Sequence, residues 1–334
     1  MPRFITVGGS SIASLDFADG RHIEAQHGGN AAYSAVGMHV WTASIGIVTS
    51  VGSRYPQGEF DLLAKAGIDV SGVRRRKSAR EFEVHITYDR DGKRLYEAPR
   101  GVLGFLQRFA PGILGLMAGP MWRSLVPQAE DIPPAFLQAE GAIVCASEYE
   151  SQARIAEALR GRVKTMVLDP PTLVLKPHGT VPKGLVDLSI PDFVLPSEQE
   201  LFEYFGDGVS PEEGAERLKS LGARNVVVKL GERGSMVYDE ARGSWRIVPV
   251  YRTRLVDPTG AGDAYGGGFL VGLVETGNPL QAALYGTVSA SFVIEGEGGT
   301  SALRRTRAEA EGRLRELRAQ IGWARGNDES EVQG

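Results

Sequence analysis

The sequence has little cysteine, no long apolar run and no excess of basic residues, and each shortage excludes a class of protein. Its single cysteine, Cys145, leaves no partner for a disulfide within the chain, which is typical of a reducing compartment. No apolar run reaches the roughly 18 residues that a membrane helix needs, and the first residues do not resemble a secretion signal. The net charge of -4 offers no basic surface for nucleic acid. We therefore expect a cytoplasmic protein that binds neither membranes nor nucleic acid.

Short apolar runs alternate with helical segments through most of the chain. Strands are predicted at residues 4–8, 142–146, 165–168, 193–195 and 225–230, and helices at residues 148–159, 198–205, 211–221 and 306–321. This alternation predicts a mainly parallel sheet that helices cover on both faces. Functional residues then belong at the carboxyl ends of the strands. We expect one domain over residues 1–325 and a polar, disordered tail over residues 326–334.

Two stretches do not follow this alternation of strands and helices. Residues 80–96 alternate between apolar and polar side chains around Asp91-Gly92, which predicts a hairpin in a small exposed sheet. Asp131 precedes Ile132 and Pro133, and a capping residue with proline in the first turn predicts the start of a helix.

The densest chemical signal is the segment DPTGAGDAYGGGFL at residues 257–270. Gly260, Ala261 and Gly262 carry little or no side chain, so the backbone N–H groups there face outward without obstruction. A helix start adds partial positive charge, and together these features suit a phosphate. Asp263 stands at the same helix start, where a carboxylate can take a proton from an attacking hydroxyl. The segment therefore favours phosphoryl transfer.

Other interpretations of this segment are a tight turn before a packing helix and a dinucleotide fingerprint. The spacing of Gly260, Gly262 and Gly266 is related to that fingerprint. However, the segment lies late in the chain, and no acidic residue follows at about 20 positions to hold a ribose. The chain also has no GxxxxGK[ST] loop, so a phosphoryl-transfer enzyme of this sequence holds phosphates in another way.

The segment resembles the C-terminal signature of the PfkB carbohydrate kinases, the ribokinase-like family. Four further motifs are similar to that family in order and spacing: Gly28-Gly29-Asn30, Leu168-Asp169-Pro170, Ser197-Glu198-Gln199-Glu200 and the run KLGERG that begins at Lys229. The resemblance covers nearly the whole chain. It implies a three-layer α/β/α ribokinase-like domain with a mainly parallel central sheet and a small β-sheet lid, formed by residues 10–30 and 75–100.

The resemblance also implies roles for individual residues. Asp263 is the expected catalytic base, and the anion hole comes from Gly260, Ala261 and Gly262. ATP is the expected co-substrate, with Mg²⁺ organised by Glu200 and a monovalent cation, usually K⁺, beside Asp257. The residues expected on the nucleotide side are Ser197, Lys229, Gly231, Gly234, Thr259 and Thr287. Those expected to bind the substrate are Ser14, Asp16, Gly28, Gly29, Asn30 and Tyr33.

Three positions depart from the family pattern. Ser197 and Tyr33 stand where the family usually has asparagine, and Tyr33 suggests an aromatic wall. Many members grip sugar hydroxyls with an aspartate where this chain has Ala13 or Ser14, and Asp16 lies only close to that position. The sugar grip is therefore atypical.

Three hypotheses for function follow. The first is ATP-dependent phosphorylation of a hydroxyl on a small sugar or sugar-like substrate. The second is a nucleoside kinase of the same fold, in which Tyr33 stacks on a base. The third is a catalytically silent module that binds a sugar or nucleotide; the missing aspartate and Ser197 favour it, and the intact glycine loop disfavours it. A homodimer formed through the lid is also expected, since residues 81–88 would leave a strand edge to cover.

Overall fold

The computed structural model describes residues 1–77, 81, 83–90, 92, 94–95, 125–170 and 187–321. Its central strands are β1 (Phe4–Val7), β4 (Ile45–Gly52), β5 (Asp69–Arg76), β8 (Gly141–Val144), β9 (Thr165–Leu168) and β10 (Phe193–Val194). They form one six-stranded sheet in the order β10-β9-β8-β1-β4-β5, and every pair is parallel. The predicted mainly parallel sheet is thus confirmed.

Alternate side chains of the central strands pack into two separate cores. From β1, Phe4 joins one core, whereas Ile5 and Val7 join the other. In β8, Ile143 lies in the first core and Val144 in the second. Strands that are buried on both faces need continuous apolar runs, and these strands have them.

Helices cover both faces of the sheet. The Phe4 side is covered by α1 (Asn30–His39), α2 (Gln57–Lys65), α6 (Ala261–Thr276), α7 (Pro279–Val293) and α8 (Arg307–Gln320). The Ile5 side is covered by α3 (Tyr149–Leu159), α4 (Glu198–Phe205) and α5 (Pro211–Ser220). The expected three-layer α/β/α architecture is confirmed.

A small antiparallel sheet extends the β10 edge. It contains β11 (Val227–Lys229), β12 (Ser235–Asp239) and β13 (Ser244–Val248). Isolated bridges join Val194 to Val226 and Ser197 to Lys229. The second bridge holds Lys229 beside the start of α4, at the carboxyl end of the central strands.

A second small sheet forms the lid, with the order β3-β2-β6-β7. Its strands are β2 (Ser11–Phe17), β3 (His22–Gly28), β6 (Glu83–Tyr88) and β7 (Arg94–Leu95). β2 and β6 are parallel, whereas β6 and β7 form the predicted antiparallel hairpin; Asp91 in its turn lies outside the described residues. β7 pairs with β6 only at Thr87 and Tyr88, so it covers the edge expected at residues 81–88 at these two residues, and the homodimer through the lid stays a prediction.

The prediction of a helix starting at Asp131 is wrong. Asp131 ends a short 3-10 turn, Ala129–Asp131, and a second 3-10 segment, Pro134–Gln138, follows it. The physical reason is that Pro134 holds the residue before it, Pro133, in an extended conformation with ψ 139°. The Asp131 carboxylate instead accepts a hydrogen bond from the Gln128 N–H at 2.8 Å and pairs with Arg76.

Three features of the sequence remain to be compared with the structure: the single cysteine, the lack of long apolar runs and the polar tail. Cys145 is buried, and burial raises the pKa of its thiol, so it behaves as a small hydrophobic residue. Across the part of the chain that the structure describes, every helix is too short or too polar to cross a membrane. The polar tail predicted at residues 326–334 lies outside the described residues.

Candidate active site

The glycine-rich loop ends in the first turn of α6. Gly260 precedes that turn with φ 76°, and a Cβ atom at this position would lie 2.1 Å from the Tyr33 ring. Only glycine therefore fits between the left-handed turn and the aromatic ring. The first N–H groups of a helix have no acceptor within the helix, and here they belong to Ala261, Gly262 and Asp263. The Ala261 N–H turns back to Pro258 O at 3.2 Å, which leaves the next two for an anion.

Asp263 is partly buried at this helix start. Its pKa is raised to about 7, first because burial disfavours the charged carboxylate and next because of the negative charge of Asp169. The positive charge of Lys229 acts in the opposite direction. A carboxyl group with a pKa near 7 is matched to accept a proton at neutral pH. The site thus combines a helix start whose N–H groups suit an anion with a carboxyl group that can accept a proton.

An ion pair lies next to Asp263. Lys229 Nζ is 2.7 Å from Asp169 Oδ1, and both side chains are largely buried. Burial alone would lower the pKa of Lys229, but the charges of Asp169 and Glu200 outweigh it, and the pKa is raised. The pKa of Glu200 is raised to about 7, mainly by burial. Three carboxyl groups therefore share one ammonium group.

This charge imbalance suits a divalent cation. Mg²⁺ keeps several waters and binds through one or two carboxylates together with substrate phosphates. In the described ranges, no group of three or more His, Cys, Asp or Glu side chains is arranged to hold a metal alone. Glu200 and Asp169 fit the water-mediated role, because a cation there would offset their mutual repulsion.

Ser197 and Glu200 also have a local role. The Ser197 hydroxyl accepts from the Glu200 N–H at 3.2 Å, and Glu200 Oε2 accepts from the Ser197 N–H at 2.7 Å. This reciprocal pair is a capping box, which the S-x-x-E spacing predicts at the start of α4. The cap fixes the Glu200 side chain at the same helix start that faces Lys229.

Asp257 is buried at the other end of the loop. Its carboxylate accepts hydrogen bonds from the Thr259 N–H at 2.9 Å, the Gly298 N–H at 3.3 Å and Gln26 Nε2 at 3.0 Å. No cationic side chain of the described residues pairs with it. A buried negative charge held only by neutral donors fits the expectation of a monovalent cation at this position.

The glycine pair and its neighbours tie α1 to the sheet. Asn30 uses its amide on the backbone: Oδ1 accepts from the Gly9 N–H at 2.8 Å, and Nδ2 donates to Ala146 O at 2.6 Å. Tyr33 is buried, its ring lies against Gly28 and Gly260, and its hydroxyl accepts from Gln26 Nε2 at 2.9 Å. The structure therefore brings Tyr33 to the loop but gives Asn30 structural bonds.

The lid has an inner face toward the loop and an outer face. Tyr88 on β6 bonds through its hydroxyl to Thr259 Oγ1 at 2.9 Å, which identifies the inner face. Ala13 and Leu15 pack with Tyr88 in an apolar cluster. Ser14 and Asp16 alternate with them and lie on the outer face. There Asp16 contacts His22 Nδ1 at 2.5 Å and His85 Nε2 at 2.8 Å, so the structure does not bring it to the loop.

Among the residues expected on the nucleotide side, Gly231, Gly234 and Thr287 differ in their surroundings. Gly231 has φ 61°, and a Cβ atom at this position would meet only open space, which suits the approach of a ligand. At Gly234, with φ 93°, a Cβ atom would lie 2.0 Å from Val248 O, so packing alone requires this glycine. Thr287 is buried within α7.

Sequence reasoning left four residues of this site without a role. Asp169 follows β9, and its place at a strand end was a usable signal. Gln26, Tyr88 and Arg94 reach the site through the lid. Arg94 pairs with Tyr88 between strands, so both side chains lie on the inner face. Nothing local in the sequence indicates these three contacts.

Comparison with known proteins adds to this geometry. A family model described as pfkB family carbohydrate kinase matches residues 132–306, more than half of the chain. The chain belongs to the pfkB family of carbohydrate kinases. As a pfkB-family kinase it is a phosphotransferase whose acceptor is a hydroxyl group.

Individual relatives of this pfkB-family kinase carry different names. The cytidine kinase of Thermococcus kodakarensis is 28% identical over 279 residues, which cover 83% of this chain and 90% of the relative. The 5-dehydro-2-deoxygluconokinase of Bacillus licheniformis is 38% identical over 97 residues, 29% of each chain.

Solved structures support the fold. The ribokinase of Thermotoga maritima superposes with a TM-score of 0.64 at 21% identity and covers 94% of this chain and 100% of its own. The nucleoside kinase of Burkholderia thailandensis, solved with inosine, gives a TM-score of 0.67 at 18% identity, with 94% and 98% covered. Both confirm the ribokinase-like fold of this pfkB-family kinase.

Proposed function

We propose that this kinase transfers the γ-phosphoryl group of ATP to a hydroxyl of a small sugar or sugar-like molecule, with Asp263 as the catalytic base. The observation that carries the proposal is the position of Asp263, whose pKa is raised to about 7. It stands at the start of α6, beside N–H groups that suit a transferring phosphate. A base and an anion site in one helical turn serve both partners of an in-line transfer.

Three parts of the protein have separate roles in the proposed reaction: Asp263, the N–H groups of the glycine loop and the lid. Asp263 takes the proton of the attacking hydroxyl as the bond to phosphorus forms. Within the anion hole proposed at residues 260–262, the Ala261 N–H is bonded to Pro258 O, so the Gly262 N–H, together with that of Asp263, would face the phosphoryl oxygens as their charge develops. The inner face of the lid, anchored by Tyr88 on Thr259, excludes water that would otherwise accept the phosphoryl group.

The nucleotide and its cations have proposed positions around this centre. Mg²⁺, when bound, neutralises charge on the phosphates, and Glu200 with Asp169 would hold its waters. Asp257 would hold the monovalent cation. For ATP we propose the nucleotide-side residues named from the sequence, with Gly231 the one that the backbone leaves open to a ligand.

A nucleoside is the second candidate acceptor, and the lid favours it. The Tyr88 face of the lid holds a buried apolar cluster of Ala13, Leu15, Ile86 and Tyr88, and such surroundings suit a base better than a ring of hydroxyls. The cytidine kinase of Thermococcus kodakarensis also matches this chain over most of its length. Tyr33, however, is buried against the glycine loop, so stacking on a base would fall to the lid.

The test is ATP turnover with Mg²⁺ and K⁺ across sugars, sugar acids, polyols and nucleosides. We expect turnover that depends on one class of acceptor, and a loss of about 10²-fold or more in Asp263→Asn, which keeps the shape but cannot take the proton. Glu212→Gln, at an exposed first-turn position of α5, is the matched control and should retain activity. ATP binding without turnover, equal in both proteins, would instead indicate the silent binding module.

A further inference from the structure

The family resemblance implies an aspartate in the lid that binds sugar hydroxyls, at the position of Ala13 or Ser14. This chain has no aspartate at either position. In the lid sheet, Ala13 lies directly opposite Gln26 on β3. Residues directly opposite each other in an antiparallel pair project their side chains to the same face. Gln26 therefore shares the inner face with Ala13, above the glycine loop.

A β-bulge turns Gln26 to this face. Leu15 pairs with Ile23, but Ala13 pairs with Gln26, so three steps on β3 match two steps on β2. Ala25 sits inside this bulge with φ 56°, the one non-glycine residue with positive φ in the described ranges. Bulges next to active sites commonly re-aim a side chain. Without the extra residue, Gln26 would point to the outer face.

The Gln26 amide is held in one orientation. Nε2 donates to the Tyr33 hydroxyl at 2.9 Å and to Asp257 Oδ2 at 3.0 Å. Because a carboxylate only accepts hydrogen bonds, the NH₂ group must face Asp257, and Oε1 points the other way. Oε1 is buried and has no hydrogen-bond partner among the described residues.

A buried acceptor without a partner destabilises the folded protein and calls for an explanation. We propose that Gln26 Oε1 accepts a hydrogen bond from a hydroxyl of the bound substrate. It would thus replace the aspartate that the family resemblance places at Ala13 or Ser14. This inference rests on the proposed kinase function and names a specificity residue for it. An amide oxygen accepts from a hydroxyl without adding charge beside Asp257.

The experiment measures kcat/KM for the substrate found in the panel and for its monodeoxy analogues, each with the natural protein and with Gln26→Ala. On the parent substrate we expect Gln26→Ala to lose about 10- to 100-fold, the factor for an unmade buried hydrogen bond. On one deoxy analogue the two proteins should be equal, because the partner hydroxyl is already gone. Glu24→Ala, an exposed change on the same strand, should not alter the pattern.

A purely structural role predicts a different result. Gln26→Ala would then lose the same factor on the parent and on every deoxy analogue, and this would overturn the inference. Tyr33→Phe separates the roles further, since it removes one anchor of Nε2 but keeps Oε1, and should preserve the deoxy pattern. If Gln26→Ala does not fold, Gln26→Asn, which withdraws the oxygen by one methylene, replaces it.

The two proposals fail separately. Loss of turnover in Asp263→Asn with a uniform effect of Gln26→Ala would leave the kinase proposal standing and remove the hydroxyl contact. No turnover of any acceptor by the natural protein would remove both.

Discussion

The glycine loop and the lid place their polar groups in different ways. In the loop, Asp257, Gly260 and Asp263 come from one short segment, and the turn and helix start decide where each points. In the lid, Gln26, Tyr88 and Arg94 come from three strands, and only the strand register brings them to one face. Functional residues that are neighbours in the chain can be recognised in the sequence as a motif. Functional residues that only the strand register brings together cannot.

The largest predicted effect on stability and activity comes from removing the Lys229 ammonium group beside the loop. Lys229→Met leaves Asp169 buried without its cation, which should lower the free energy of unfolding by about 3 kcal/mol or more. The pKa of Asp263 should also rise, because Lys229 holds it down, so activity at pH 7 falls about tenfold for each unit. Urea unfolding and a pH profile measure both effects. Lys164→Met, at an exposed position, is the control, and equal stabilities would contradict the described ion pair.

The pH dependence of the natural protein tests the loop without mutation. Only deprotonated Asp263 can accept the hydroxyl proton, so kcat/KM should rise with pH through about 7 and fall about tenfold per unit below it. A profile that is flat between about pH 5.5 and 8.5 would show that this base does not limit the reaction.

The raised pKa of Asp263 also predicts how stability depends on pH. Rising pH should increase activity but decrease the stability of the folded state. The folded state favours neutral Asp263, so the stability that this gives is present at acid pH and lost as pH rises toward 7. Asp263→Asn should therefore unfold at a higher temperature than the natural protein at about pH 8, with little difference at about pH 4. Scanning calorimetry at both pH values checks this.

In the lid, Arg94→Ala tests whether the positive charge that the β6–β7 register places near the loop contributes to activity. Arg94 lies beside Tyr88 on the inner face, and in the described chain it forms no ion pair. We expect kcat at pH 7 to fall by about two- to tenfold, because the positive charge of Arg94 opposes the rise in the pKa of Asp263 that burial causes, and its loss leaves less of the base deprotonated. Arg90→Ala, in the same hairpin, is the control. If both variants lose equally, the hairpin and not the Arg94 charge is responsible.

The smallest effect is expected at the bulge. Ala25→Gly relieves a left-handed conformation at φ 56°, so the protein should gain a few tenths to about 1 kcal/mol in stability and keep its activity. Ala32→Gly inside α1 should instead destabilise by about 0.5–1 kcal/mol. Chemical unfolding compares the two, and the same sign for both would argue against the bulge.

Local signals account for the elements that were predicted well. The predicted bounds of β9 and α4 are confirmed to the residue. Local signals mark both ends of α4, with the Ser197–Glu200 capping box at its start and Gly206 directly after its last residue. The α-helix expected at Asp131 did not form, because Pro134 holds Pro133 in an extended conformation and the chain continues only as the short 3-10 segment Pro134–Gln138. The order of motifs was enough for the family and for the fold class.

The sequence by itself determined the parallel sheet and predicted the glycine-rich turn with Asp263 at the start of α6, since each depends on residues close together in the chain. Tertiary structure alone decided the Lys229–Asp169 pair, 60 residues apart, and the Gln26–Asp257 bond, 231 residues apart. It also decided which lid residues face the loop, since one extra residue at Ala25 exchanges the two faces of β3. The physical reason is that burial and register, which set these contacts, are properties of the folded chain and not of any one segment.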